Sequence, residues 1–258
     1  MSQIHPTALV DSRAELGEGV RIGAYAIIEG KVELGAGTEV GPYSYIQGPA
    51  RIGKDNRIGA YVHIGGAPQH REYQGEETGL EIGDENLIRE FVTIHRGTAL
   101  TGITRVGSGN FIMVGVHIAH DCQLGNYITI ANYVQIAGHC RIDDYAVFGG
   151  LAGVHQHCRV GKGAMVAALS GVSLDVPPYC IAGGERARFV GLNRVGLKRM
   201  GMAEEVIKAI RRAYRIISQP GVLLKDALAQ LEQEMGEVPE VREIIDFYRS
   251  GTRGVIRR

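Results

Sequence analysis

An aliphatic residue recurs at every sixth position of residues 16–53, which read LGEGVRIGAYAIIEGKVELGAGTEVGPYSYIQGPARIG. Extended in both directions, the same register runs from Ile4 to Val172, and 26 of its 29 positions hold Ile, Leu or Val. These three residue types fill 65 of 258 positions, so chance would place about 7 of them in the register. A period of six fits neither the 3.6 of a helix nor the alternation of a half-buried strand. It predicts the hexapeptide repeats of a parallel β-helix.

Three hexapeptides make one coil of 18 residues, so residues 18 apart should lie in one column about 4.8 Å apart. The aliphatic residues should point inward and stack. Gly follows 12 of the 29 positions of this register, as at Gly35, Gly41 and Gly53. These glycines predict sharp corners that need a residue without a Cβ.

Two interruptions are expected in the coil. The register fails at His70 and Glu76, inside the polar stretch 67–78, which we expect to leave the coil as a loop. A second loop is predicted near 97–105. Loops on a rigid scaffold often carry function, so both are candidate parts of a site.

The pattern changes to helices after about residue 188. Helices are predicted over Ala203–Ser218, Leu223–Met235 and Pro239–Ser250, the last with Pro at its start. The sequence therefore predicts a β-helix over 1–188 and an α-helical C-terminal domain over 189–258.

The first part of this helical region is strongly basic. Between residues 194 and 215 there are seven basic side chains, against Glu204 and Glu205 alone. One interpretation is a solvated helical cap over the open end of the coil. The other is a docking face for an acidic partner.

Composition excludes several classes of protein. Lys+Arg and Asp+Glu both total 28, so the chain lacks the basic field of a nucleic-acid-binding protein. No run approaches the roughly 20 apolar residues of a transmembrane segment, and MSQIHPTALV does not read as a secretion signal. We therefore expect a cytoplasmic protein whose four cysteines stay as thiols.

The histidines are concentrated in one region, where His117 and His120 flank the inward-facing Ile118 and should both leave the core. Asp121 follows His120, and Gly138 should lie one coil above it. A histidine base beside a backbone N–H that faces a developing oxyanion is the minimum for acyl transfer. The alternative is that His120 is only a polar turn residue.

Two further columns lie close by. Asp121, His139 and His157 are 18 residues apart in succession, as are Cys122, Cys140 and Cys158. Together with His155, these imidazoles and thiols are possible zinc ligands. The simpler interpretation is that three small cysteines fill equivalent positions of successive coils, with no metal bound.

Six short motifs connect these residues to a known family. They are Ile94-His95-Arg96-Gly97-Thr98, His117-Ile118-Ala119-His120-Asp121-Cys122, Ala137-Gly138-His139, Val154-His155-Gln156, Asp175-Val176-Pro177-Pro178-Tyr179 and Gly196-Leu197-Lys198-Arg199. Through them the chain resembles, over essentially its whole length, the bacterial UDP-N-acetylglucosamine 3-O-acyltransferases. Enzymes of that family take an acyl chain from acyl carrier protein in the first step of lipid A synthesis.

The resemblance implies a left-handed β-helix, a homotrimer with active sites at the subunit interfaces, and neither a metal nor a diffusible cofactor. It makes His120 the general base, Asp121 its orienting carboxylate and Gly138 the oxyanion donor. It places Ala168 where the length of the acyl chain is measured. The residues that it places in the substrate cleft are His95, His117, His139, His155, Gln156, Asn193 and Arg199.

The sequence also departs from the family pattern. Glu72 replaces a basic residue, Val195 an acidic one and Met200 an arginine, at positions that contact the nucleotide sugar in the family; His157 replaces a phenylalanine. Transfer to a 3-amino sugar, which would give an amide, therefore stays open. So do a zinc-dependent hexapeptide carbonic anhydrase and a rod without catalytic activity.

Overall fold

The structure is a computed structural model and describes residues 2–257, so the two ends of the predicted domains, Met1 and Arg258, lie outside the described residues. Up to the first loop the strands are β1 (Gln3–Ile4), β2 (Leu9–Val10), β3 (Glu15–Leu16), β4 (Arg21–Ile22), β5 (Ile27–Glu29), β6 (Val32–Leu34), β7 (Glu39–Val40), β8 (Tyr45–Gln47), β9 (Ala50–Ile52), β10 (Arg57–Ile58) and β11 (His63–Gly66). Between the two loops lie β12 (Gly79–Ile82), β13 (Leu87–Ile88) and β14 (Thr93–His95). The later strands are β15 (Ile103–Val106), β16 (Phe111–Ile112), β17 (His117–Ile118), β18 (Gln123–Leu124), β19 (Thr129–Ile130), β20 (Gln135–Ile136), β21 (Arg141–Ile142), β22 (Val147–Phe148), β23 (Gly153–Val154), β24 (Arg159–Val160), β25 (Met165–Val166), β26 (Gly171–Val172), β27 (Cys180–Gly183) and β28 (Arg188–Leu192).

These strands form three sheets around one core, and all their pairings are parallel except that of β27 with β28. Sheet A takes β1 and every third strand to β25, followed by β27 and β28; sheet B takes β2 to β26 and sheet C takes β3 to β24 in the same way. Pairs such as Ile4 with Ile22 and Leu16 with Leu34 keep the 18-residue spacing. The predicted left-handed parallel β-helix is confirmed. The chain turns from one sheet to the next at three corners of each coil. We call these corners A–B, B–C and C–A, after the two sheets that each of them connects in chain order.

Both loops leave the coil at the B–C corner. The first connects β11 to β12, so Ile58 pairs with Ile88; the second connects β14 to β15, so Ile88 pairs with Ile112. The second loop is shorter than predicted, because β15 already begins at Ile103. Leu100 fits the six-residue register but is 76% exposed in this loop, so its aliphatic character is not a core signal.

Two kinds of residue shape the corners. The first kind adopts a backbone conformation with positive φ, three positions after the aliphatic residue. Examples are Tyr25 and Asp121, with φ of 57° and 62°. The glycines that directly follow the aliphatic residue serve a different purpose, because a Cβ at Gly35 would lie 2.5 Å from the backbone of Gly53 in the next coil. The predicted need for glycine is confirmed, and its cause is the close approach of successive coils.

The C-terminal part of the chain closes the end of the β-helix that follows β26. Its helices are α1 (Arg194–Arg199), α2 (Glu204–Ile217), α3 (Leu224–Met235) and α4 (Pro239–Arg249). The three predicted helices correspond to α2, α3 and α4 with ends shifted by one residue at most, while α1 and the antiparallel pairing of β28 with β27 were not predicted. Tyr214 of α2 donates a hydrogen bond to the Pro178 carbonyl, and its ring packs against Phe189. Across residues 2–257, the helices are all too short or too polar to cross a bilayer.

Candidate active site

His120 lies at the B–C corner, directly after the buried Ile118 of β17. Its side chain is 10% exposed, and Nδ1 lies 2.6 Å from Oδ2 of Asp121. An ionised carboxylate only accepts hydrogen bonds, so Nδ1 carries the proton of the neutral ring. Nε2 therefore keeps a free lone pair, as a general base requires.

Asp121 is held as a carboxylate by the second loop. It accepts hydrogen bonds from the Thr98 backbone N–H at 2.9 Å, from the Thr98 hydroxyl at 2.8 Å and from the Thr101 hydroxyl. Burial alone raises the pKa of Asp121, but the hydrogen bonds from Thr101, His120 and Thr98 outweigh it and leave this pKa below its ordinary value. The charged carboxylate can then fix the His120 ring and stabilise its protonated form. Neither threonine was predicted.

Gly138 lies one coil above His120, as the 18-residue arithmetic predicted. A Cβ at this position would lie 2.7 Å from Cε1 and 2.9 Å from Nε2 of His120, so only glycine leaves the imidazole its place. Its carbonyl accepts a hydrogen bond from the His157 N–H. Within residues 2–257, the Gly138 N–H itself has no hydrogen-bond acceptor. This N–H is thus a donor without a partner, next to the basic nitrogen.

Further imidazoles surround the pair. His139 meets the His120 ring edge-on at 5.1 Å, with Nε2 3.6 Å from Asp121 Oδ2, and His157 stacks on His139 at 4.5 Å. Burial, as the main cause, lowers the pKa of His139. His70 of the first loop also meets His120 edge-on, at 5.4 Å. The column of Asp121, His139 and His157 was predicted, whereas His70 was missed because a loop has no register from which to place it.

His95 and His117 extend this group along sheet B. Their rings meet edge-on at 4.9 Å, and His117 Nδ1 lies 2.7 Å from the Thr93 hydroxyl. Burial, aided by the neighbouring His117, lowers the pKa of His95 to about 4, and burial also lowers the pKa of His117. Both rings are therefore neutral near pH 7 and can contact an uncharged hydroxyl or amide.

A cleft of about 750 Å³ runs from this group along the outer face of sheet B. His117, His120 and Gly138 line one end, and His155 and Gln156 lie farther along. Small residues line much of its length, namely Ala119, Ala137, Gly153 and Gly171. Of the residues predicted for the substrate cleft, His117, His155 and Gln156 line it, whereas His95 and His139 are not among its lining residues. The small lining residues leave space for an extended apolar chain.

Three of the predicted residues lie at other corners of the same chain. Asn193 is buried at the C–A corner, where its amide donates to the Gly163 carbonyl at 3.0 Å and its Oδ1 accepts from the Gly196 N–H. Arg199 is in the last turn of α1, which Asn193 caps. Ala168 is exposed at the A–B corner. One chain by itself therefore does not bring these residues to His120.

The cysteine column faces the core. The Cys122 thiol donates to the Ala137 carbonyl and the Cys140 thiol to the His155 carbonyl, and burial raises the pKa of Cys158 to about 11. Among the described residues, one group has three potential metal-ligand atoms within 4.8 Å of one another, namely His120, Asp121 and His139. Both carboxylate oxygens of Asp121 already accept hydrogen bonds, so His120 and Asp121 form a hydrogen-bonded dyad.

Comparison with known proteins relates both parts of the chain to one family. Residues 31–66 and 103–138 match the model of the bacterial transferase hexapeptide, and residues 175–256 match domain 2 of UDP N-acetylglucosamine O-acyltransferase. Proteins named acyl-[acyl-carrier-protein]–UDP-N-acetylglucosamine O-acyltransferase are similar over full length. The one from Halorhodospira halophila is 48% identical over 258 residues, and the one from Janthinobacterium sp. is 46% identical over 262 residues, each with complete coverage of both chains.

Solved structures agree with the sequence comparison. The UDP-N-acetylglucosamine acyltransferase of Francisella novicida superposes with a TM-score of 0.96 at 39% identity, covering 99% of this chain and 94% of that one. The enzyme of Bacteroides fragilis gives a TM-score of 0.96 at 42% identity, covering 98% and 99%. The chain belongs to the acyl-[acyl-carrier-protein]–UDP-N-acetylglucosamine O-acyltransferase family.

Proposed function

We propose that this chain moves an acyl group, typically a 3-hydroxyacyl chain, from acyl carrier protein to the 3-hydroxyl of UDP-N-acetylglucosamine, the first step of lipid A biosynthesis. The observation that carries the proposal is the free Nε2 of His120 beside the unpartnered N–H of Gly138. The names of the relatives, which specify O-acyl transfer, support a hydroxyl acceptor.

The reaction follows from these two atoms. His120 Nε2 removes the proton from the sugar hydroxyl as its oxygen attacks the thioester carbonyl. The carbonyl oxygen becomes an oxyanion and accepts a hydrogen bond from the Gly138 N–H. When the intermediate collapses, the carbon–sulfur bond breaks, and the His120 imidazolium returns its proton to the thiol of acyl carrier protein. Asp121 stabilises the imidazolium between these steps, so the chain's own residues account for every proton transfer.

We also propose that the active enzyme is a homotrimer with sites at its subunit interfaces. The support is that His120 lies at the B–C corner, whereas Asn193 lies at the C–A corner and Arg199 follows it in α1. A neighbouring subunit would bring those residues to His120. Exposed apolar patches mark interaction sites. The A–B corner carries such a column of large side chains, each 49–72% exposed: Tyr25, Tyr43, Tyr61, Phe91, Tyr133, Leu151 and Leu169.

The acidic partner is acyl carrier protein, docked on the basic face of α1 and α2. Some cations of this face are already paired, such as Lys198 with Glu204 and Arg212 with Glu234. Within residues 2–257, Arg199, Lys208, Arg211 and Arg215 have no carboxylate within ion-pair distance, so they can meet acidic side chains of a partner. We place the reaction in the cytoplasm, where the four thiols stay reduced.

One assay tests the function. Purified protein is incubated with a set of acyl carrier protein thioesters and with UDP-N-acetylglucosamine and its 3-amino analogue in one tube. We expect an ester on the 3-hydroxyl and a higher kcat/KM for the hydroxyl sugar. A strong preference for the amino sugar would replace the ester with an amide, and absence of transfer to either sugar would contradict the proposed function.

A further inference from the structure

The first loop is attached to the coil by one half-buried arginine that the proposed chemistry does not use. Arg96 Nη1 donates to the Gly65 carbonyl at 2.9 Å, in β11 just before the loop. Nε and Nη2 of the same guanidinium donate to the Tyr73 hydroxyl at 3.1 and 2.9 Å, in the middle of the loop. The Tyr73 hydroxyl in turn donates to the Glu76 carbonyl at 3.1 Å. Arg96 thus connects Gly65 of β11 to Tyr73, eight residues later in the loop.

This attachment determines where the wall of the cleft lies. Gln69 lines the cleft, and the His70 ring meets His120 edge-on. The Tyr73 N–H donates to the His70 carbonyl at 3.1 Å, so a displacement of Tyr73 is transmitted to His70. The contacts form one continuous series from Arg96 through Tyr73 and His70 to His120.

Gly138 and the first loop both approach the His120 ring. The Gly138 N–H is the donor that we assign to the oxyanion of the acyl group. His70, from the first loop, meets the ring edge-on at 5.4 Å, and Gln69 lines the same cleft as His120. With the Gly138 N–H assigned to the acyl carbonyl, we assign the loop to the attacking hydroxyl of the acceptor.

We infer that Arg96 is a positioning residue, which acts through the Tyr73 hydroxyl to hold the first loop so that the sugar acceptor is oriented toward His120. This inference rests on the proposed function. Because Arg96 itself touches neither His120 nor Gly138, its loss should affect acceptor binding more than the chemical step.

The test uses Tyr73→Phe, which removes one hydroxyl and keeps the ring. We expect KM for the nucleotide sugar to rise about tenfold, the size of one lost charge-assisted hydrogen bond, with kcat and KM for the acyl donor changed much less. Hydrogen exchange of residues 68–77 should become faster while exchange in the coils is unchanged. Arg96→Lys should give the same pattern, because lysine keeps the charge but lacks the guanidinium fork.

The matched control is Tyr127→Phe, which removes a hydroxyl from an exposed ring that is stacked on Tyr145. This substitution should change neither KM for the nucleotide sugar nor the hydrogen exchange of residues 68–77. The double variant of Tyr73 and Arg96 should be no worse than the more damaged single variant, because both substitutions break the same connection.

Unchanged exchange of residues 68–77 in Tyr73→Phe would overturn the inference, and so would faster exchange with an unchanged acceptor KM. If the unsubstituted protein transferred no acyl group at all, the proposed function would fail, while the exchange measurement would still judge whether Arg96 holds the loop.

Discussion

At the scale of single residues, the site depends on which atom of His120 is free. Asp121 accepts the hydrogen bond from His120 Nδ1–H and is itself held by Thr98 and Thr101, so the basic lone pair is fixed at Nε2. The position of His120 below Gly138 was predictable, because both belong to the regular register. The two threonines and His70 were not predictable, because the loops that carry them follow no period.

Substitution of the base gives the most direct prediction. His120→Ala should lower kcat by about 10²- to 10⁴-fold, the usual contribution of general-base catalysis. The melting temperature should stay close to that of the parent, because the His120 ring lies at the cleft surface rather than among the aliphatic columns. Steady-state kinetics and thermal unfolding measure the two effects, with His5→Ala, an exposed site in the first coil, as the control. Near-parental turnover would remove His120 from the mechanism.

His95 predicts a dependence of stability on pH. Its pKa is about 4 in the folded protein, against about 6.5 for an exposed histidine in the unfolded chain. Between these values only the unfolded chain binds the proton, so lowering the pH from 6.5 to 4 should reduce the free energy of unfolding. Urea unfolding at pH 7 and 4.5 should show a smaller loss for His95→Gln than for the parent. An equal loss in both proteins would contradict this assignment.

At the scale of elements, the regular strands were predictable because the same hexapeptide constraint recurs along the sequence. Strand β28 and helix α1 were not predictable in this way. β28 pairs antiparallel with β27, and the six-residue period gives no signal for this change of strand direction. Helix α1 is only six residues long and is capped by the buried Asn193. The longer α2, α3 and α4 were predicted from the change to helical patterning in the C-terminal region.

The A–B corner of the coil that contains Ala168 predicts a change in acyl-chain preference. The preceding coil packs tightly beneath this residue, since a Cβ at Gly149 would lie 2.4 Å from the Ala168 nitrogen. A longer side chain can therefore extend only outward. Ala168→Met should favour a markedly shorter acyl group in competition among acyl carrier protein thioesters, whereas Ala36→Met, at a distant corner, should not. Unchanged preference would show that another residue limits the chain.

Helix α2 predicts a dependence on salt. Charge steering is screened over about 8 Å at physiological ionic strength, so KM for the acyl donor should rise as salt is added. Arg211→Glu should raise this KM at low salt and flatten its salt dependence. Lys31→Glu, the same charge change on an early coil, should do neither. Kinetics that are independent of salt would argue against electrostatic docking.

At the scale of the whole molecule, the position of Arg199 predicts complementation between subunits. His120→Ala and Arg199→Ala proteins should each be impaired, but trimers that contain both kinds of subunit should have one intact interface in three. Co-expression with two affinity tags yields such mixed trimers, and light scattering gives their size. Activity no higher than the mean of the two parents would contradict sites shared between subunits.

The two loops have a consequence for how such a protein can change over generations. They enlarge their coils while Ile58 still pairs with Ile88, and Ile88 with Ile112, so the inner columns continue undisturbed on either side. Insertions and deletions at the B–C corner can therefore accumulate without disturbing the core. Natural selection can reshape the wall of the cleft by loop length alone, and substrate range can diverge while the scaffold is inherited unchanged.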